Sequence, residues 1–118
     1  MILFVEYPKC STCQKAKKWL ESHEIEFSDR HIVEKNPTVE ELKEWHKRSG
    51  LELKKFFNTS GLKYKELGLK DRLAAMNDEE KYSLLASDGM LVKRPIVVME
   101  DKILLGFKEK EWEAALLD

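Results

Sequence analysis

Apolar and polar positions change period several times along the chain, and each change marks an element. Ile2-Leu3-Phe4-Val5 is a continuous apolar run that reaches Tyr7 and stops at Pro8, which predicts a buried strand over 2–7. Pro8-Lys9-Cys10-Ser11-Thr12 follows as a loop whose Ser and Thr are good helix caps. From Cys13 to about Glu21 the spacing is helical. Cys13, Ala16 and Leu20 share one face with Trp19 beside them, and Lys15, Lys17 and Lys18 take the outer face. Ile25 and Phe27 then alternate with Glu26 and Ser28, predicting a half-exposed strand that runs to about Ile32. Two strands joined by a helical crossover imply a parallel βαβ unit.

Between about 36 and 90 the pattern is helical. Thr38-Val39-Glu40-Glu41 reads as a capping box, Val39, Leu42 and Trp45 form the apolar stripe behind it, and Gly50 is the stop. Phe56-Phe57 is a short apolar anchor and Asn58-Thr59-Ser60-Gly61 a turn. Tyr64 to Leu67 is helical and closed by Gly68, and Asn77 caps a helix over 78–87 that ends at Asp88-Gly89. Pro95-Ile96-Val97-Val98-Met99 then reads as a central strand. Glu100-Asp101-Lys102 is a turn, Ile103 to Phe107 the return strand, and Lys108 to Leu117 an amphipathic helix with Trp112, Ala115 and Leu116 inward. This order, βαβ, helical insert, ββα, predicts one α/β domain over 1–118. Its plan is a thioredoxin-like fold: a four-stranded mixed sheet with a helical subdomain inserted between the second and third strands.

Composition narrows the function classes. Hydrophobic residues make up 42% of the 118, enough for a core without staples, and charged residues 36%. The 21 Lys+Arg balance 22 Asp+Glu to a net charge of −1, which argues against a uniformly basic nucleic-acid binder. No apolar run approaches the about 20 residues of a membrane span. The chain enters a strand at once, without a basic leader or apolar signal region, so a cytoplasmic location is expected.

Candidate chemistry begins with Cys10 and Cys13 at the predicted strand-to-helix turn. Amides at a helix N-terminus favour a thiolate there, and the three-residue offset brings two sulfurs within bonding reach. Cys10, in the turn, is the candidate nucleophile. Cys13, on the inward face, is the candidate resolving partner, and Ser11 and Thr12 support the turn. The bland alternative is two thiols filling a small pocket. A zinc site is disfavoured, because His23, His31 and His46 lie at no ligand spacing to the cysteines or to each other. Arg94-Pro95 is the second feature. It is either an ordinary strand-starting proline beside a surface arginine, or a cis proline facing the cysteines with Arg94 stabilising the thiolate and holding an oxyanion or an incoming thiol. Trp45, Trp112, Phe56 and Phe57 are expected in the core, His46 on a helix surface, and the lysine cluster on a solvated face that could steer an acidic partner.

Three stretches together closely resemble the arsenate reductase ArsC / Spx family: Tyr7-Pro8-Lys9-Cys10-Ser11-Thr12-Cys13-Gln14-Lys15-Ala16, Tyr64-Lys65-Glu66-Leu67-Gly68-Leu69 and Arg94-Pro95-Ile96-Val97-Val98. The likeness spans essentially the whole chain. It implies a thioredoxin-like fold with Cys10 reactive and a cis Arg94-Pro95 opposite it. It also implies an oxidoreductase whose reductant is glutathione, glutaredoxin or thioredoxin, with no bound cofactor. Arsenate reductases of the family place three arginines around the oxyanion. Arg94 matches one, while Asn58-Thr59-Ser60-Gly61 and Gly106-Phe107-Lys108 stand where the other two would fall, so efficient arsenate reduction is not expected. The paired cysteines resemble the Spx branch, redox-responsive transcriptional regulators that bind the C-terminal domain of the RNA polymerase α subunit. Two functions follow: a thiol-disulfide oxidoreductase acting on a thiol or disulfide of a partner protein or of glutathione, or an Spx-type sensor.

Overall fold

The computed structural model describes residues 2–117. Four strands, β1 (Ile2–Glu6), β2 (Phe27–His31), β3 (Ile96–Val98) and β4 (Ile103–Leu105), form one sheet in the order β2-β1-β3-β4. β1 runs parallel to β2 and antiparallel to β3, and β3 is antiparallel to β4. The sheet is therefore mixed. Its parallel pair is joined by α1 (Ser11–Ser22), and the antiparallel pair β3–β4 by the short turn after Val98.

Alternation along the inner strands builds a core on each face. Phe4, Val97 and Leu104 point toward α1 and toward α6 (Glu109–Leu116), where they meet Ala16, Trp19, Leu20 and Trp112. Trp112 sits edge-on to Phe4, Trp19 and Phe107, with ring centroids 6.4, 5.7 and 4.7 Å apart, and its indole N–H donates to the Gly106 carbonyl. Val5, Ile96 and Ile103 point the other way, into the helical insert. That insert contains α2 (Val39–Ser49), α3 (Leu62–Glu66), α4 (Leu69–Arg72) and α5 (Asp78–Ser87). Trp45, Phe56 and Phe57 are buried there, as their patterning predicts. The capping boxes at Thr38/Glu41 and Asn77/Glu80 are both formed, and α2 ends at Gly50. The topology is thioredoxin-like, with the helical subdomain between β2 and β3.

Several boundaries and side chains differ from the sequence pattern. The return strand ends at Leu105 because Gly106 turns the chain at φ 72°, a region that favours glycine. β2 starts at Phe27 because the Ile25 amide still bonds back to the Leu20 carbonyl at the end of α1. His46 is not a free surface side chain. Its Nδ1 lies 2.6 Å from the Tyr82 hydroxyl and its ring packs on Phe56, tying α2 to α5. Lys17 leaves the solvated lysine face to pair with Asp29 at 2.9 Å and Glu6 at 3.7 Å.

The insert is fastened to the sheet at both ends. Arg30 on β2 forms a two-pronged pair with Glu41 at 2.6 and 2.8 Å and also donates to the Lys35 and Asn36 carbonyls. Asn36 Nδ2 donates to the Leu85 and Ala86 carbonyls at the end of α5. Gly89 then passes so close to β2's exit that a Cβ there would lie 2.2 Å from the Ile32 carbonyl oxygen. Backbone cannot yield as a flexible side chain can. Gly89→Ala should therefore cost about 1–3 kcal/mol, the usual range for overpacking, measured as a drop in the urea midpoint with an unchanged slope. A midpoint equal to the parent protein's would show that the two segments separate freely.

Candidate dithiol site

β1 delivers the chain to a tight turn closed by the Cys10 amide on the Tyr7 carbonyl at 2.9 Å, and Gln14 Nε2 holds the Pro8 carbonyl at 2.8 Å. Cys10 itself is the N-cap of α1. Its backbone is extended, and its sulfur accepts the Cys13 amide at 3.3 Å. The capping role expected of Ser11 or Thr12 thus falls to the cysteine, and those two residues open the helix, exposed. No acidic side chain occupies the first turn of α1 to offset the positive end of its dipole.

The two thiols are free and differ in setting, Cys10 half-buried and Cys13 fully enclosed. Burial works against charge at Cys10. The Cys13 amide and thiol and the Arg94 guanidinium outweigh it, so the Cys10 pKa lies below the ordinary thiol value. At Cys13 burial dominates. Together with the neighbouring Cys10 it pushes the thiol up to about 12 against the pull of the Tyr7 backbone and Arg94. Cys10 is the more readily ionised of the two, and Cys13 keeps its proton while Cys10 is charged.

Arg94 reaches this site from just before β3. The Arg94–Pro95 peptide bond is cis, and the guanidinium stands 5.1 Å over the Tyr7 ring. Its Nε and Nη1 are buried without a hydrogen-bond partner. Arg94 is therefore partly enclosed rather than a plain surface side chain. In front of Cys10 lies an open cavity of about 410 Å³, lined by Thr12, Asn58, Ser60, Lys93, Arg94 and Lys108 among others. Ser11 and Cys13 lie outside its lining. Asn58 and Ser60 occupy the rim where the resemblance would call for arginine, and two lysines supply positive charge as single points rather than forks. No cluster of His, Cys, Asp and Glu fit for a metal occurs among the described residues, and no described helix is long and apolar enough to cross a membrane.

Two contributors were given no role by the sequence: Tyr7, although it opens the first family-like stretch, and Glu6. Tyr7 supplies the ring beneath Arg94. Glu6, the last residue of β1, is 3% exposed and lies beneath α1 beside Lys17 and Asp29. Burial, reinforced by the Asp29 carboxylate and only partly relieved by Lys17, pushes its pKa up to about 7. The available signal was period two: Glu6 falls on the same face as Phe4.

A thioredoxin-like fold with a cysteine pair at the start of its first helix defines a class of thiol proteins. Within that class the chain belongs to the ArsC family, whose model matches residues 5–115. Among its relatives are YusI of Bacillus subtilis (strain 168), 55% identical over 95% of both chains, and the regulatory protein MgsR of the same organism, 34% identical over 93% of this chain and 86% of that one. Similar solved structures include an ArsC family related protein from Bacteroides fragilis, 60% identical with a TM-score of 0.93 over 96% of this chain and 95% of that one. The arsenate reductase from Vibrio cholerae is 28% identical with a TM-score of 0.82 over 98% and 95%.

Arg94→Met keeps the aliphatic stem and removes the charge. It should raise the Cys10 pKa and slow alkylation of Cys10 near neutral pH, read from a pH series of thiolate absorbance. An unchanged pKa in the folded variant would leave the Cys13 amide and thiol as the sources of activation.

At Glu6 the folded state keeps its proton up to about 7, whereas the unfolded chain releases it near 4.5. The native state thus binds more protons in between. The stabilisation linked to Glu6 is full below pH 4.5 and is lost as pH rises through 7. Glu6→Gln should flatten that slope and exceed the parent protein's stability above neutrality by up to about 3 kcal/mol, as denaturant titrations across the pH range will show. Parallel curves for the two proteins would assign the slope elsewhere.

Proposed function

We propose that the chain is a cytoplasmic, ArsC-like thiol-disulfide redox protein in which Cys10 attacks and Cys13 resolves. The observation that carries this reading is the helix cap: a sulfur with a lowered pKa at the start of α1, with a protonated thiol one turn behind it. The Cys10 thiolate attacks one sulfur of a partner's disulfide, forming a mixed disulfide and releasing the other sulfur as a thiolate. The negative charge that holds the Cys13 proton in place is then gone. Cys13 loses that proton, attacks the Cys10 sulfur and releases the partner's second thiol. The partner gains two electrons and the Cys10–Cys13 pair becomes a disulfide. Glutathione, glutaredoxin or thioredoxin then restores the dithiol.

Arsenate is a weaker fit. Only Arg94 offers a guanidinium fork in the cavity, and Lys93 and Lys108 add charge without bidentate geometry. A second reading draws on the 34% identity to MgsR: a redox-sensing transcriptional regulator of the Spx type that engages the RNA polymerase α subunit. Retention of polymerase subunits from lysate by only the reduced or only the oxidised protein would favour it.

Mild oxidant should convert the protein to a monomer lighter by two hydrogens, reversible with dithiothreitol, and Cys13→Ser should abolish that form. Limiting alkylating reagent should strike Cys10 first in peptide maps. Modification of Cys13 ahead of Cys10, or oxidation only to intermolecular dimers, would reverse the assignment.

A further inference from the structure

Beside the cavity in front of Cys10 lies a second, larger one of about 650 Å³, and the two share Lys93, Leu105 and Lys108 as common wall. Together they form one trough that starts at the reactive sulfur and runs out across β4 toward the segment 51–59. β4 is the outermost strand of the sheet, and no described strand pairs with its far side. Leu51 stands at the trough's outer end, 42% exposed. Charge along the trough is lopsided for a chain of net charge −1. Lys54, Lys55, Lys93 and Lys108 line it against Glu52 and Glu111. Of the four lysines only Lys108 has an acidic partner among the described residues, Glu111 at 3.6 Å.

We propose that this trough docks an extended segment of a partner protein that carries its cysteine among acidic residues, laying that cysteine against Cys10. The inference rests on Cys10 being the nucleophile and adds the identity of what it attacks. Three features favour an acidic peptide over a small thiol. The trough extends well beyond the cavity that a small thiol would fill. An open strand edge offers backbone hydrogen bonds to an extended chain. Unpaired lysines far from the sulfur can contribute only to a ligand long enough to reach them, by steering and by charge complementarity. The exposed Leu51 offers such a segment an apolar contact. The α1 lysines do not serve this role, because none of Lys15, Lys17 and Lys18 lines the trough and Lys17 is already engaged by Asp29 and Glu6.

The test uses the full chain carrying Cys13→Ser, which stops the reaction at the mixed disulfide. Two peptides of equal length each bear one cysteine as its mixed disulfide with thionitrobenzoate, flanked by glutamates in one and by lysines in the other. Cys10 attacks the peptide sulfur, a new disulfide forms, and thionitrobenzoate leaves as a coloured thiolate with the electron pair. At low salt the acidic peptide should react faster than the basic one by on the order of tenfold or more, and added salt should shrink the ratio. Lys54→Glu with Lys55→Glu, both at exposed positions, should bring the ratio close to one. Equal rates for the two peptides, with a small neutral disulfide still reacting, would overturn the docking proposal and leave Cys10 as the nucleophile. A preference that persists in the double variant would also overturn it, placing charge selection at the sulfur itself and favouring a small anionic thiol such as glutathione. Failure of every disulfide to react would remove the Cys10 reading and the trough with it.

Discussion

One hydrogen bond, from the Cys13 amide to the Cys10 sulfur, organises the end of β1 and the start of α1. A helix start needs an acceptor for its unpaired amides. Supplying that acceptor from a thiol links folding to ionisation, since the sulfur that caps the helix is the one whose pKa the cap lowers. Cys13 is bound into the same arrangement twice, through the amide it donates and through a side chain sealed beneath the helix. Arg94 completes it from the opposite side of the chain, held over Tyr7 rather than by a carboxylate. An acidic partner would have absorbed its charge, whereas an aromatic face leaves it directed at the sulfur.

Electrostatics on the two sides of this junction run in opposite directions. In front of Cys10 the walls are basic, through Lys93, Arg94 and Lys108. Beneath α1, Glu6 and Asp29 share one lysine, and the more buried carboxyl holds its proton to near neutrality.

Much of this was legible in the sequence, for identifiable reasons. The strands follow from apolar runs at 2–7 and 95–99 and from alternation at 25–28, and the insert from helical stripes bounded by the Thr38 capping box and the Asn77 cap; the order in which the strands lie in the sheet does not. The cysteine pair and Arg94-Pro95 were visible because rare residue types at fixed spacing stand out from a background of common ones. What escaped depends on tertiary neighbours. Sulfur is a poor capping residue by propensity, so Ser11 and Thr12 drew the assignment that Cys10 holds. Helical spacing places Lys17 and His46 on outer faces, yet β2 brings Asp29 to the first and α5 brings Tyr82 to the second. Strand ends differ from the apolar pattern by two residues where a turn, at Gly106 or before Phe27, cuts it short.

The insert leaves the sheet after Ile32 and returns past Gly89 at the same place, with Asn36 clasping the end of α5. Its entry and exit are therefore neighbours, like the two prongs of a plug. Lengthening an exposed loop between them costs only the slowly growing entropy of a longer closed loop, so long as the core packed on Val5, Ile96 and Ile103 is kept. A fold wired in this way can vary the loops of its insert while β1, α1 and the segment before β3, which carry Cys10, Cys13 and Arg94, keep their places.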